Sequence, residues 1–133
     1  MGTLVKEQWE AVIPIQRTMY TTMSEVYELT GEMLDAVKRQ DRVSVRMYLK
    51  MRQEPILKLC NLREQLEHHC SLLPPASSQE LRDILSGKSS EQDELAPLCK
   101  LVAQNQHLSQ RTIQADQQLN QMLAGKKSFY LQK

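Results

Sequence analysis

Residues 15–37, IQRTMYTTMSEVYELTGEMLDAV, place Ile15, Met19, Met23, Val26, Thr30, Met33 and Val37 at successive spacings of three and four. Side chains so spaced share one face of a helix, and the stretch predicts a helix of about 23 residues, ~35 Å long. Tyr20, Tyr27 and Leu34 widen its apolar side. Gly31 sits inside the pattern at a cost of about 1 kcal/mol relative to alanine. It either admits close approach of another helix or is a tolerated weak point. Upstream, Leu4, Val5, Trp9, Val12 and Ile13 form an amphipathic lead-in over about residues 1–14, which Pro14 is expected to interrupt or kink.

Downstream, Lys38-Arg39-Gln40-Asp41 closes this helix with two cations and offers Asp41 as the N-cap of the next. The second helix carries Val45, Leu49, Arg52, Ile56, Leu59, Arg63, Leu66 and Cys70, again alternating three and four. Pro55 falls in its middle and predicts a kink, or two helices meeting near Gln53. Pro74-Pro75 breaks the chain, and Ser77 with Glu80 has the spacing of a capping box for a short helix through Leu81, Ile84 and Leu85, stopped at Gly87. Ser90 is the expected cap of a last helix running through Leu95, Leu98, Leu101, Val102, Asn105, Leu108, Thr112, Ile113, Leu119, Met122 and Leu123 to Gly125. Pro97 lies in its first two turns, where disruption is smallest. Residues 126–133 read as a flexible tail.

Long helices joined by short connections must return antiparallel to bury their stripes. The expected fold is all-α, one domain over residues 1–133. It is an elongated antiparallel three-helix bundle of long helices with one short extra helix before the last. Composition agrees: 133 residues with four glycines and five prolines are too poor in turn residues for a many-stranded sheet fold. A net charge of +1 is too balanced for an electrostatic nucleic-acid binder. No apolar run reaches the ~20 residues that span a bilayer, and nothing near Met1 reads as a secretory signal. Three cysteines, Cys60, Cys70 and Cys99, at no framework spacing suit reduced thiols, so the expected setting is soluble and cytoplasmic.

Catalytic and metal signatures are weak. His68-His69-Cys70 is the one cluster that suggests metal, but consecutive helical residues point about 100° apart and cannot converge on one ion. Acidic residues are scattered among lysines and arginines, and glycine is too scarce for a phosphate cradle. The sequence predicts a non-enzyme with no cofactor and no metal. Soft apolar surface is the positive signal. Met47 and Met51 lie off the main stripe of the second helix, and Tyr48, Met51 and Leu62 are candidates to line a binding groove. On the last helix Leu101, Leu108, Ile113, Leu119 and Met122 form a narrow apolar face among glutamines, suited to exchanging partners.

The run Met33-Leu34-Asp35-Ala36-Val37-Lys38-Arg39-Gln40-Asp41, followed by Val45, Leu49, Arg52, Glu54, Ile56-Leu57, Leu59 and Leu62, resembles the first hairpin of flagellar type III export chaperones of the FlgN and FliT kinds. Asn105, Ile113, Asp116 and Leu119 resemble the final, cargo-facing helix of such proteins, and the likeness runs from about Thr18 to Gly125. The FlgN kind has a Tyr-Gly pair and a second glycine near the end; here Gly125-Lys126-Lys127-Ser128-Phe129-Tyr130 stands there, leaving the kind and the cargo open. The resemblance implies a cytoplasmic chaperone that binds a helical terminal segment of a filament-cap or hook–filament junction protein. It would prevent self-association and deliver the cargo to the export apparatus, as a monomer or small homo-oligomer. The alternative is a coiled-coil structural or assembly subunit that oligomerises through its own helices.

Overall fold

Reversal at Lys38–Asp41 sets the architecture. In the computed structural model, which describes residues 3–125, five α-helices follow in order. They are α1 (Lys6–Glu10), α2 (Ile13–Lys38), α3 (Arg42–Ser71), α4 (Pro75–Leu85) and α5 (Ala96–Gly125), with a 3₁₀ turn at Asp93–Leu95 before α5. Gln40 adopts the left-handed conformation at φ 59°, and the amides of Gln40 and Asp41 donate to the carbonyls of Val37 and Ala36. That pair of bonds satisfies the orphan carbonyls at the end of α2 in the Schellman pattern. One residue on, the Asp41 carboxylate accepts from the Ser44 amide at 3.1 Å and caps α3, as the sequence predicts.

The fold is all-helical among the described residues, and α2 packs along both α3 and α5. Pairing fixes the directions. Val37 near the end of α2 packs with Val45 near the start of α3 and with Leu119 near the end of α5. Asn105, early in α5, reaches Gln16 at the start of α2. Thus α3 runs antiparallel to both α2 and α5, and α2 and α5 are parallel. Three buried clusters stack along this axis. One joins Leu4, Trp9, Val12, Cys70, Leu81, Leu95 and Leu98; a middle one joins Met23, Val26, Leu59 and Leu108; the far one joins Met33, Val37, Val45 and Leu119.

Several expectations require correction. Pro14 does not interrupt the lead-in: it occupies the first turn of α2, where a missing amide hydrogen removes no helical bond. Leu4, Trp9 and Val12 are buried in the core, so the lead-in is part of the bundle. Pro55 does not divide the second helix, because α3 is continuous over 30 residues with the Pro55 ring buried against the bundle. Packing on both sides outweighs the lost bond. The buried seam of α3 is Val45, Pro55, Leu59, Leu62 and Cys70, with Leu49 and Ile56 exposed. Ser77 and Glu80 form no capping box, since Pro75 starts α4 two residues earlier. Both instead hold the N-terminal segment: Glu80 Oε1 accepts from the Thr3 and Leu4 amides at 2.5 and 3.1 Å, and Ser77 donates to the Thr3 carbonyl. Ser90 accepts from the Gln92 amide and does not cap α5. Gly87, at φ 109°, stops α4 as expected, with the Gly87 and Lys88 amides on the carbonyls of Ile84 and Asp83. At Gly31 no atom lies within 4 Å of an added Cβ, so no helix approaches there. The tail at 126–133 lies outside the described residues.

A candidate partner-binding groove

Because α2 touches both flanking helices, α3 and α5 are held apart over much of their length, and their backbones approach each other at few points. The gap is a groove with α2 as its floor. Two contiguous clefts of about 260 and 630 Å³ compose it, sharing Met23, Leu59, Arg63 and Ser109. Met19, Met23 and Val26 of α2 supply the floor. Ile56, Leu59, Arg63 and Leu66 form the α3 wall; Val102, Ser109, Thr112 and Ile113 form the α5 wall. From Val102 to Asp116 the groove runs about 21 Å at 1.5 Å per residue, the length of a helix of about 14 residues.

Both ends are closed by polar contacts. At one, the Gln106 amide donates to the Ser86 carbonyl at 2.8 Å and Leu85 of α4 joins the lining. At the other, Arg52 Nη1 crosses between the walls, donating to Asp116 Oδ1 at 2.8 Å and to Thr30 Oγ1 at 3.0 Å. One guanidinium therefore ties all three long helices. Arg52 Nε and Asn105 Oδ1 are buried with no hydrogen-bond partner among the described residues, and both residues line the groove. Asn105 spends its amide hydrogens on the Gln16 carbonyl and Gln16 Oε1, at 3.0 and 2.5 Å. Unpaired buried polar atoms of this kind cost about 1–3 kcal/mol each.

The sequence-based candidates separate into three groups. Leu62, Leu108 and Leu119 are buried core residues. Leu101, Tyr48 and Met122 are half-buried, the last two packed on the far cluster with Val37 and Leu119. Met51 and Ile113 are exposed, and Ile113 alone of the eight lines the groove. The expected face of α5 thus points mainly into its own bundle, which corrects the expectation of a face suited to exchanging partners. Residues that sequence reasoning did not select as a site are Met19, Met23, Ile56, Arg63 and Ser109. The signal for two of them was present. Ile56 and Arg63 stand one heptad apart, each one residue beyond the buried Pro55 and Leu62, so they form the rim.

Elsewhere, His69 Nε2 lies 2.6 Å from the Gln8 carbonyl oxygen, Cys70 is buried and His68 is exposed, so these neighbours diverge. Burial holds the Cys70 thiol above its ordinary pKa of 9.0. No group of three or more metal-ligating side chains converges among the described residues. None of their helices is long and apolar enough to cross a membrane. No protein-family model, no curated protein and no solved structure matches this chain.

Proposed function

We propose that this chain is a non-catalytic binding protein whose α3/α5 groove receives a helical segment of a partner. The observation that carries the reading is an apolar cleft between two polar-rimmed helices, floored by Met19, Met23 and Val26. An amphipathic helix laid there would bury its apolar side against adaptable methionines. The length of the groove supports the same reading. Within it, the sequence resemblance makes the protein a cytoplasmic export chaperone, with the terminal segment of a filament-cap or hook–filament junction protein as cargo and the export apparatus as second partner. The test is a titration of those terminal segments against the protein and its Ile113→Glu variant. Ile113 is 54% exposed, so the substitution leaves the melt unchanged. Burying the exposed half of an isoleucine contributes about 0.8–1.6 kcal/mol, so affinity should fall about tenfold. Unchanged affinity contradicts the assignment.

A second reading, a self-assembling structural subunit, draws on a different surface. Val43, Met47, Met51 and Leu57 are exposed on α3. Concentration-dependent oligomerisation abolished by Met47→Glu plus Leu57→Glu would favour it.

A further inference from the structure

Charge is distributed unevenly around the bundle. Helix α3 carries six basic side chains, among them Arg46, Lys50 and Arg63, against three acidic ones, Glu54, Glu64 and Glu67. Arg82 of α4 engages Glu67 and holds its carboxyl below the ordinary range. Helix α2 carries four exposed acids, Glu25, Glu28, Glu32 and Asp35, and none of them lines the groove. Three of them face another cleft, beside Gln118 on the opposite flank of α5. Within the groove the charged side chains are Arg52, Arg63 and Asp116. Arg52 and Asp116 neutralise each other. Arg63 is exposed, belongs to both clefts and has no ion-pair partner among the described residues. An apolar floor thus has one cation without an ion-pair partner at its centre.

We propose that the segment this groove receives is acidic: an amphipathic helix of about 14 residues whose apolar side lies on Met19, Met23 and Leu59 and one of whose flanking carboxylates meets Arg63. The inference rests on the groove reading above and adds the chemical class of the occupant. A carboxylate near Arg63 gains a charge-assisted hydrogen bond, and a lysine in its place meets like charge. One exposed pair contributes little by itself and a like-charge pair opposes by a similar amount, so the selectivity is the difference between the two.

A displayed library of helical peptides of about 16 residues tests this, with a fixed apolar i, i+3, i+4, i+7 stripe and Glu, Gln or Lys at every flanking position. Selection against the protein should enrich Glu at the flanks. Synthetic Glu-flanked binders should lose about tenfold in affinity against Arg63→Glu and weaken with added salt. Lys-flanked versions should bind the protein more weakly and recover on Arg63→Glu. Circular dichroism melts of the variant, altered only at an exposed position, establish that it is folded. Binders with neutral or basic flanks, or a ranking unmoved by Arg63→Glu, overturn the acidic assignment while leaving the groove reading in place, provided Ile113→Glu blocks them. Failure to select any binder that Ile113→Glu blocks overturns both.

Discussion

Leu108 and Leu119 offer the sharpest separation between core and groove, since both belong to α5 yet neither is available to a partner. Leu119 is 1% exposed and packs with Met33, Val37 and Val45; Leu108 is 7% exposed and packs with Met23, Val26 and Leu59. Truncating a buried leucine to alanine costs about 2–5 kcal/mol, the lost transfer term plus a cavity. We place Leu119→Ala near 3 kcal/mol, because helices enclose its site on several sides and limit collapse, and Leu108→Ala near 2 kcal/mol, because the groove beside it lets neighbours relax. The two sites lie eleven residues apart on one helix, about 16 Å, in separate clusters, so their effects should add to ~5 kcal/mol. That sum rivals the whole stability of a marginal domain, about 5–15 kcal/mol. Urea unfolding followed by helical circular dichroism should show both midpoints shifted at constant slope, and the double variant largely unfolded or close to it. Where single variants remain folded, affinity for a groove ligand should change little. A loss below about 1 kcal/mol for Leu119→Ala, or a larger effect on binding than on stability, would refute the packing described here.

Three further outcomes follow from the turns and the titrating groups. Gln40→Gly should raise stability by about 1 kcal/mol in urea, because Gln40 is a non-glycine residue held at φ 59°; a loss would contradict the Schellman assignment. Gly87→Ala should lower stability by about 1–2 kcal/mol, since φ is 109° and a Cβ would meet Gln106 Oε1 at 2.7 Å; a neutral result would mean that the α4 stop is relaxed. Bonds from Ser44 hold Asp41 below its ordinary 3.8, and Arg82 holds Glu67 below 4.5, so the folded state binds fewer protons there than the unfolded one. Their contributions are complete above those values and are lost as pH falls through the lowered ones. Cys70 acts oppositely: burial raises its thiol above 9.0, and that contribution is lost as pH rises past the raised value. Urea midpoints plotted against pH should therefore fall on both sides of a plateau, and Asp41→Asn should flatten the acid limb.

Legibility in the sequence followed the range of the interactions. Helix α2 could be read because Ile15 through Val37 repeats with the helical period, and the Asp41 cap and Gly87 stop depend on chemistry within a few residues. On α3, Val45, Leu59 and Cys70 of the expected stripe are buried, but Pro55 and Leu62 take the places expected for Ile56 and Arg63, one residue along; period alone cannot choose between adjacent lines on one helix. A proline is read locally as a breaker, whereas the Pro55 ring is a packing element of the seam. Ser77 and Glu80 have cap spacing but serve the Thr3 segment, more than 70 residues away, a partnership that no local pattern encodes. The groove was illegible for the same reason. It exists because α3 and α5 both pack on α2 with little contact to each other, a property of three helices that no single stripe contains.

Methyl-labelled methionine NMR tests the groove most directly, because the methionines report separately on its floor and on the outer face of α3. Met19 and Met23 line the groove, whereas Met47 and Met51 are exposed away from it. On titration with the helical terminal segment of a filament-cap or hook–filament junction protein, the proposed cargo, the Met19 and Met23 signals should shift in proportion to binding. Those of Met47 and Met51 should stay in place. Shifts confined to Met47 and Met51, with Met19 and Met23 unmoved at saturation, would contradict the groove reading and move recognition to the outer face of α3.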